Sequence, residues 1–145
     1  IEAALDELLA GIDGRHDLVV LLCTGTHVAP LQKSLLVEAQ RIVDANFEAL
    51  GASARRLGVL LPLQRQIEEF GDRHVFSRPV TLAAASPYAG GDFDAAGKAL
   101  ADCDLVVMHC MGFSADMAAQ MRAHVHAPIL ISRRIVANAV RQLIG

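Results

Sequence analysis

Asp104–Phe113 reads D-L-V-V-M-H-C-M-G-F, and Asp17–Thr26 reads D-L-V-V-L-L-C-T-G-T. Aspartate, leucine, two valines, cysteine and glycine keep one register: position 17 matches 104 and position 23 matches 110, both 87 apart. An apolar run of this kind reads as a strand buried on both faces. Each run closes on a cysteine, Cys23 or Cys110, and a glycine follows two residues later, Gly25 or Gly112, where a turn leaves the sheet. In open parallel sheets, ligands bind outside the carboxyl ends of the strands. The duplicated segment therefore predicts two thiols at two ligand-facing strand ends. If the halves face each other, the thiols flank one cleft.

Outward from the repeat, strands and helices alternate. Leu18–Leu22 is a predicted strand, and a loop through Cys23, Thr24, Gly25, Thr26, His27 and Pro30 leads into a helix over about Leu31–Leu50, ended by Gly51. Leu57–Leu61 is a strand stopped by Pro62, followed by a helix over Leu63–Phe70. Val80–Ala85 is the next strand, leaving at Ser86-Pro87, and Gly90-Gly91-Asp92 precedes a helix with Phe93, Ala96, Gly97 and Leu100 on one face. Leu105–His109 is the second copy of the repeat. Ser114 caps a helix reaching His124, Pro128–Ile131 is the last strand, and Ser132 caps a final helix. The fold class expected is α/β: two similar Rossmann-like, flavodoxin-like lobes with parallel sheets and an interlobe cleft, the first lobe incomplete. Residues 1–54 form the C-terminal part of the first lobe, 55–131 the second, and 132–145 a terminal helix packing back on the first. Ile1 opens inside an amphipathic helix whose stripe is Ile1, Leu5, Leu8 and Leu9, so the chain reads as a fragment or the ordered part of a longer one.

Composition narrows the function classes. The chain has 145 residues, 53% hydrophobic and 20% charged, which suits a sheet covered on both sides. A net charge of −3 argues against a nucleic-acid footprint, and the pairs Arg55-Arg56 and Arg133-Arg134 are too short to reverse that. No apolar run reaches the roughly 18 residues of a membrane span, so neither nucleic acid nor membrane is an expected partner. Three cysteines without a secretory signal read as reduced thiols in the cytoplasm. No histidine spacing matches a zinc site, and neither G-x-G-x-x-G nor a P-loop is present, so no metal or cofactor is expected. Self-association into a homo-oligomer is left open.

The stretch D-A-A-G-K-A-L-A-D-C-D-L-V-V-M-H-C-M-G-F, Asp94–Phe113, resembles the second-lobe signature of AroM family proteins. L-G-V-L-L-P at Leu57–Pro62 and P-I-L-I-S-R-R-I-V-A at Pro128–Ala137 are similar to it in the same order. The resemblance implies a fold like the aspartate/glutamate racemase superfamily, in which one cysteine from each of two lobes works on one substrate carbon. Cys23 and Cys110 fall where those cysteines would be. Racemases typically carry Cys-Asn-Thr at the first thiol and Cys-Thr at the second. This chain has Cys23-Thr24-Gly25-Thr26 and Cys110-Met111-Gly112, so the second thiol lacks a hydroxyl neighbour.

Two opposed thiols have a simple chemistry. A thiolate removes a proton from the carbon beside a carboxylate, and the other thiol delivers one to the opposite face. The expected ligand is a small carboxylate, the expected catalytic pair Cys23 and Cys110. Thr24, Gly25, Thr26, His27, Met111 and Gly112 are the expected binding residues. Ser114 starts a helix whose positive end would face the site, and His27 is a candidate partner for a thiol. His109 sits beside Cys110 in sequence, but strand neighbours point to opposite faces. Against this stands a plainer reading: a cysteine ending a strand is ordinarily core packing, which is the reading taken for Cys103. Fold duplication explains the repeat without catalysis. The alternative function is a non-enzymatic metabolite-binding module.

Overall fold

Leu57–Leu61 and Leu105–Met108 are buried at every position, and they pair in parallel, Leu57 with Leu105 through Leu60 with Met108. The computed structural model describes residues 2–73 and 76–145. Among them are six helices and six strands: α1 Glu2–Ile12, β1 Leu18–Leu21, β2 Leu35–Glu38, α2 Ala39–Leu50, β3 Leu57–Leu61, α3 Arg65–Arg73, β4 Val80–Ala84, α4 Phe93–Ala99, β5 Leu105–Met108, α5 Ala115–Met121, β6 Ile129–Ile131 and α6 Ser132–Ile144. The molecule is mixed α/β with two parallel sheets. One sheet is β1-β2, and the other has the order β4-β3-β5-β6. From β3 the chain moves outward one way to β4 and returns on the other side to β5. That reversal opens a crevice beyond the carboxyl ends of β3 and β5.

Strand pleating divides the four-stranded sheet between two apolar layers. Leu57, Val59 and Leu61 of β3, with Leu105 and Val107 of β5, pack against Ala39, Val43 and Phe47 of α2, Phe70 of α3 and Val136 of α6. Leu60, Val106 and Met108 face the other way, onto Phe93, Ala96 and Leu100 at α4 and Ala118 and Met121 of α5. This is why the strands read as unbroken apolar runs. Helix α6 lies beside α2. Gly58 allows Cys103 and Leu100 to approach, since a Cβ there would sit 2.8 Å from the Cys103 sulfur.

Two local expectations are corrected. The helix expected over 31–50 starts only at Ala39, because Leu35–Glu38 is strand β2, paired Leu18 to Leu35 through Leu21 to Glu38. Leu35-Leu36-Val37 is too short an apolar run for periodicity to separate strand from helix. The cap expected at Ser132 is also absent: Ile131 occupies the N-cap position, and the Ser132 hydroxyl donates to the Met108 carbonyl at 2.7 Å. Ser114 does cap α5, accepting the Met117 N–H at 3.3 Å.

Residues 22–34 join β1 to β2 without a helix of their own. Carboxylates hold that loop by accepting backbone N–H groups. Glu2 takes His27, Asp6 takes Ala29 at 2.7 Å, and Asp13 takes Gln32, Lys33 and Ser34 at 2.9–3.0 Å. The segment bearing Cys23 is thereby anchored at its far end.

Candidate functional site

Both repeated strands end at one cavity. Its volume is about 340 Å³. Leu22, Cys23, Thr24 and Gly25 enter it from the end of β1, Leu61, Pro62 and Leu63 from the end of β3, and His109, Cys110 and Met111 from the end of β5. Gln66 and Phe70 of α3 and Tyr88, from the loop after β4, complete the wall. The walls are mainly aliphatic and aromatic, with few polar groups, as in small-molecule sites generally. Every contributing strand presents its carboxyl end, the position at which parallel sheets bind ligands.

The two thiols are free and partly buried. The two segments that carry them are joined directly. The buried Thr24 hydroxyl donates to the His109 carbonyl at 3.3 Å, across 85 residues of chain. Cys110 has close polar company: the Tyr88 hydroxyl lies 3.7 Å from its sulfur, and the Gly112 N–H donates to it at 3.4 Å. Arg133, at the start of α6, donates to the Met111 carbonyl at 3.1 Å and the Gly112 carbonyl at 2.8 Å, which fixes the turn after Cys110. The hydrogen bond to Cys110, and then negative charge on that sulfur, hold the Tyr88 phenol above its ordinary range. Cys103 is different. It is buried under Gly58, and burial pushes its thiol up.

His109 is turned inward, 2% exposed, with Nε2 2.6 Å from an Asp44 carboxylate oxygen and its ring edge-on to Phe70. The pair ties the end of β5 to α2. It is a buried, hydrogen-bonded arrangement of the kind that fixes an imidazole's orientation.

Of the residues expected at the site, Cys23, Thr24, Gly25, Cys110 and Met111 line the cavity. Gly112 stands just behind, its N–H on the Cys110 sulfur. Thr26 and His27 are not among the lining residues: His27 is exposed, its backbone bonded to Glu2, and the Thr26 hydroxyl oxygen is buried without a hydrogen-bond partner among the described residues. Sequence reasoning missed Tyr88, Gln66, Phe70, Asp44 and Arg133. Tyr88 had a usable signal, because it is the chain's single tyrosine and follows directly on the exit of a predicted parallel strand. Asp44 and Arg133 had none, since their roles depend on which helices reach the site.

Among the described residues no group of three or more His, Cys, Asp or Glu side chains is placed to hold a metal ion. No helix among them is long and apolar enough to cross a membrane. No curated protein and no solved structure matches the chain. A family model described as AroM protein matches residues 1–144, essentially the whole chain, and the chain belongs to the AroM family.

Proposed function

We propose that this AroM family protein is a cofactor-independent racemase or isomerase acting on a small carboxylate through Cys23 and Cys110. One observation carries the reading: thiols from two copies of one sequence segment, each at the carboxyl end of a parallel strand, line the same cavity. In this reading residues 1–54 and 55–131 are the two lobes of a racemase-like fold, with helix 132–145 returning onto α2. The cavity is the cleft between them.

The chemistry balances on the two sulfurs. A thiolate on one side takes the α-proton, and the electron pair left on carbon delocalises into the carboxylate. The thiol on the other side gives its proton to the opposite face of that carbon and becomes the thiolate. Thr24, Gly25 and Met111 line the ligand's position, while Leu22, Leu61, Leu63 and Phe70 supply its apolar wall. Both thiols must be reduced, as the cytoplasm would keep them; neither is in a disulfide.

The test is solvent exchange. Small carboxylates bearing an α-hydrogen are incubated with the protein in deuterated water, and deuterium at the α-carbon is followed by NMR. We expect uptake with racemisation. Cys23→Ser and Cys110→Ser should each reduce racemisation at least ~10²-fold, because a serine hydroxyl does not replace a thiolate base at neutral pH. One of them should retain exchange from a single enantiomer. Saturable binding without deuterium uptake, with both serine variants binding like the parent, would replace this reading with a metabolite-binding module.

A further inference from the structure

The repeat makes Cys23 and Cys110 equivalent in sequence, but their surroundings are unequal. Two polar groups reach the Cys110 sulfur: the Gly112 N–H donates to it at 3.4 Å, and the Tyr88 hydroxyl lies 3.7 Å away, where it donates to a thiolate or accepts from a thiol. Among the described residues no hydrogen-bond donor reaches the Cys23 sulfur. We propose that Tyr88 is a positioning residue that makes Cys110 the thiolate of the resting pair, leaving Cys23 as the thiol. This deepens the two-thiol reading above and rests on it for the catalytic meaning, though not for the effect on the sulfur.

Three independent features place the phenol there. The Ser86 hydroxyl accepts the N–H groups of Tyr88 and Ala89 at 3.2 and 3.3 Å, which turns the chain immediately after β4. Gly91 closes that loop on itself: a Cβ would fall 2.2 Å from the Ser86 carbonyl oxygen, so no other residue fits without moving the backbone. At the receiving end, Gly112 leaves room for the ring, since a Cβ there would stand 2.9 Å from the Tyr88 hydroxyl and 2.9 Å from Pro87. Tyr88 itself is 76% exposed, so core packing does not account for its position. The phenol is held above its ordinary range and keeps its proton. The hydrogen bond therefore runs from oxygen to sulfur whenever the sulfur is charged. Arg133 clamps the Met111 and Gly112 carbonyls, so the Gly112 N–H stays directed at the same sulfur.

A two-base mechanism needs one group ionised and the other protonated, which requires different environments. Donors on one sulfur only supply that difference. With Cys110 as the thiolate, it takes the substrate proton from its side, and Cys23 supplies the proton to the other. After one turnover the charge rests on Cys23. Return to the starting state needs the proton to move from Cys110 to Cys23, through water or through the reverse reaction.

The experiment needs no substrate. The rate of Cys110 alkylation by iodoacetamide is measured against pH on the full chain, with the modified peptide resolved by mass spectrometry and Cys23 read in the same samples. In Tyr88→Phe, which keeps the ring and removes the hydroxyl, we expect the Cys110 profile to move to higher pH by about one unit, the size of one lost charge-assisted hydrogen bond. Near neutral pH that is roughly a tenfold slower reaction. The Cys23 profile should stay within a few tenths of a unit of the parent's. Gly112→Ala should move Cys110 in the same direction by displacing the phenol. A Tyr88→Phe protein with parental circular dichroism and an unmoved or lowered Cys110 profile overturns the proposal, whatever Gly112→Ala does. A moved profile with no α-deuterium uptake would leave Tyr88's effect standing and remove only the racemase reading.

Discussion

A single buried imidazole joins the site to the helix behind it. His109 ends β5, beside the thiol, and its Nε2 meets the Asp44 carboxylate at 2.6 Å. A strand places neighbours on opposite faces. Accordingly Cys110 has its sulfur beside Tyr88, whereas His109 turns toward α2 and Phe70. Taking the acceptor from a buried donor costs its desolvation, which water cannot readily repay at a side chain 1% exposed. Asp44→Ala should therefore lower unfolding free energy by about 1–3 kcal/mol. Urea denaturation followed by circular dichroism measures it, and a change below a few tenths would show that the pair contributes little. The repeat left this pairing out of view, because the first copy has Leu22 where the second has His109.

At the scale of elements, two aspartates hold the sheets' entrances. Asp13 accepts the N–H groups of Gln32, Lys33 and Ser34 just before β2, and Asp104 accepts those of Arg55 and Arg56 just before β3. Backbone hydrogen bonds, led by Gln32 for Asp13 and by Arg55 for Asp104, hold both carboxyls below their ordinary value. A carboxyl depressed in the folded state adds stability that is fully present above its unfolded value, about 4, and is lost as pH falls through the folded value. Asp13→Asn with Asp104→Asn removes both titrations. Thermal unfolding midpoints of that variant should fall less than the parent's between about pH 5 and pH 2. Parallel curves would assign the acid sensitivity to other carboxylates. Most of the elements themselves were legible in the sequence. Five of the six strands coincide with predicted ones to within a residue or two, since apolar runs bounded by Gly, Pro or Asp are strong local signals. Strand β2 escaped because four residues, Leu35–Glu38, lead straight into a helix with no turn residue between them.

For the molecule as a whole, α2 is the link. Phe47 is fully buried, packs edge-on to Phe76 with centroids 5.2 Å apart, and belongs to the same apolar layer as β3, β5, α3 and α6. The residues before the four-stranded sheet are therefore fastened into its core. Phe47→Ala should cost about 3–5 kcal/mol and should lower the unfolding transition monitored by circular dichroism as one step. Early separate melting of part of the helical signal would mean that α2 detaches from a sheet that stays folded. By itself the sequence determined the α/β class, the parallel character of the strands, the AroM resemblance and the registration of Cys23 with Cys110. Each of these follows from local composition or from exact repetition along the chain. Only the tertiary structure decided that both thiols reach one cavity, that Tyr88, Gln66 and Phe70 share it, and that the Tyr88 hydroxyl and the Gly112 N–H meet the Cys110 sulfur. The physical reason is that Tyr88 reaches Cys110 across 22 residues of chain, and Arg133 reaches the Met111 and Gly112 carbonyls across 22 and 21. Contacts at such separation depend on sheet order and helix placement, and sequence periodicity specifies neither.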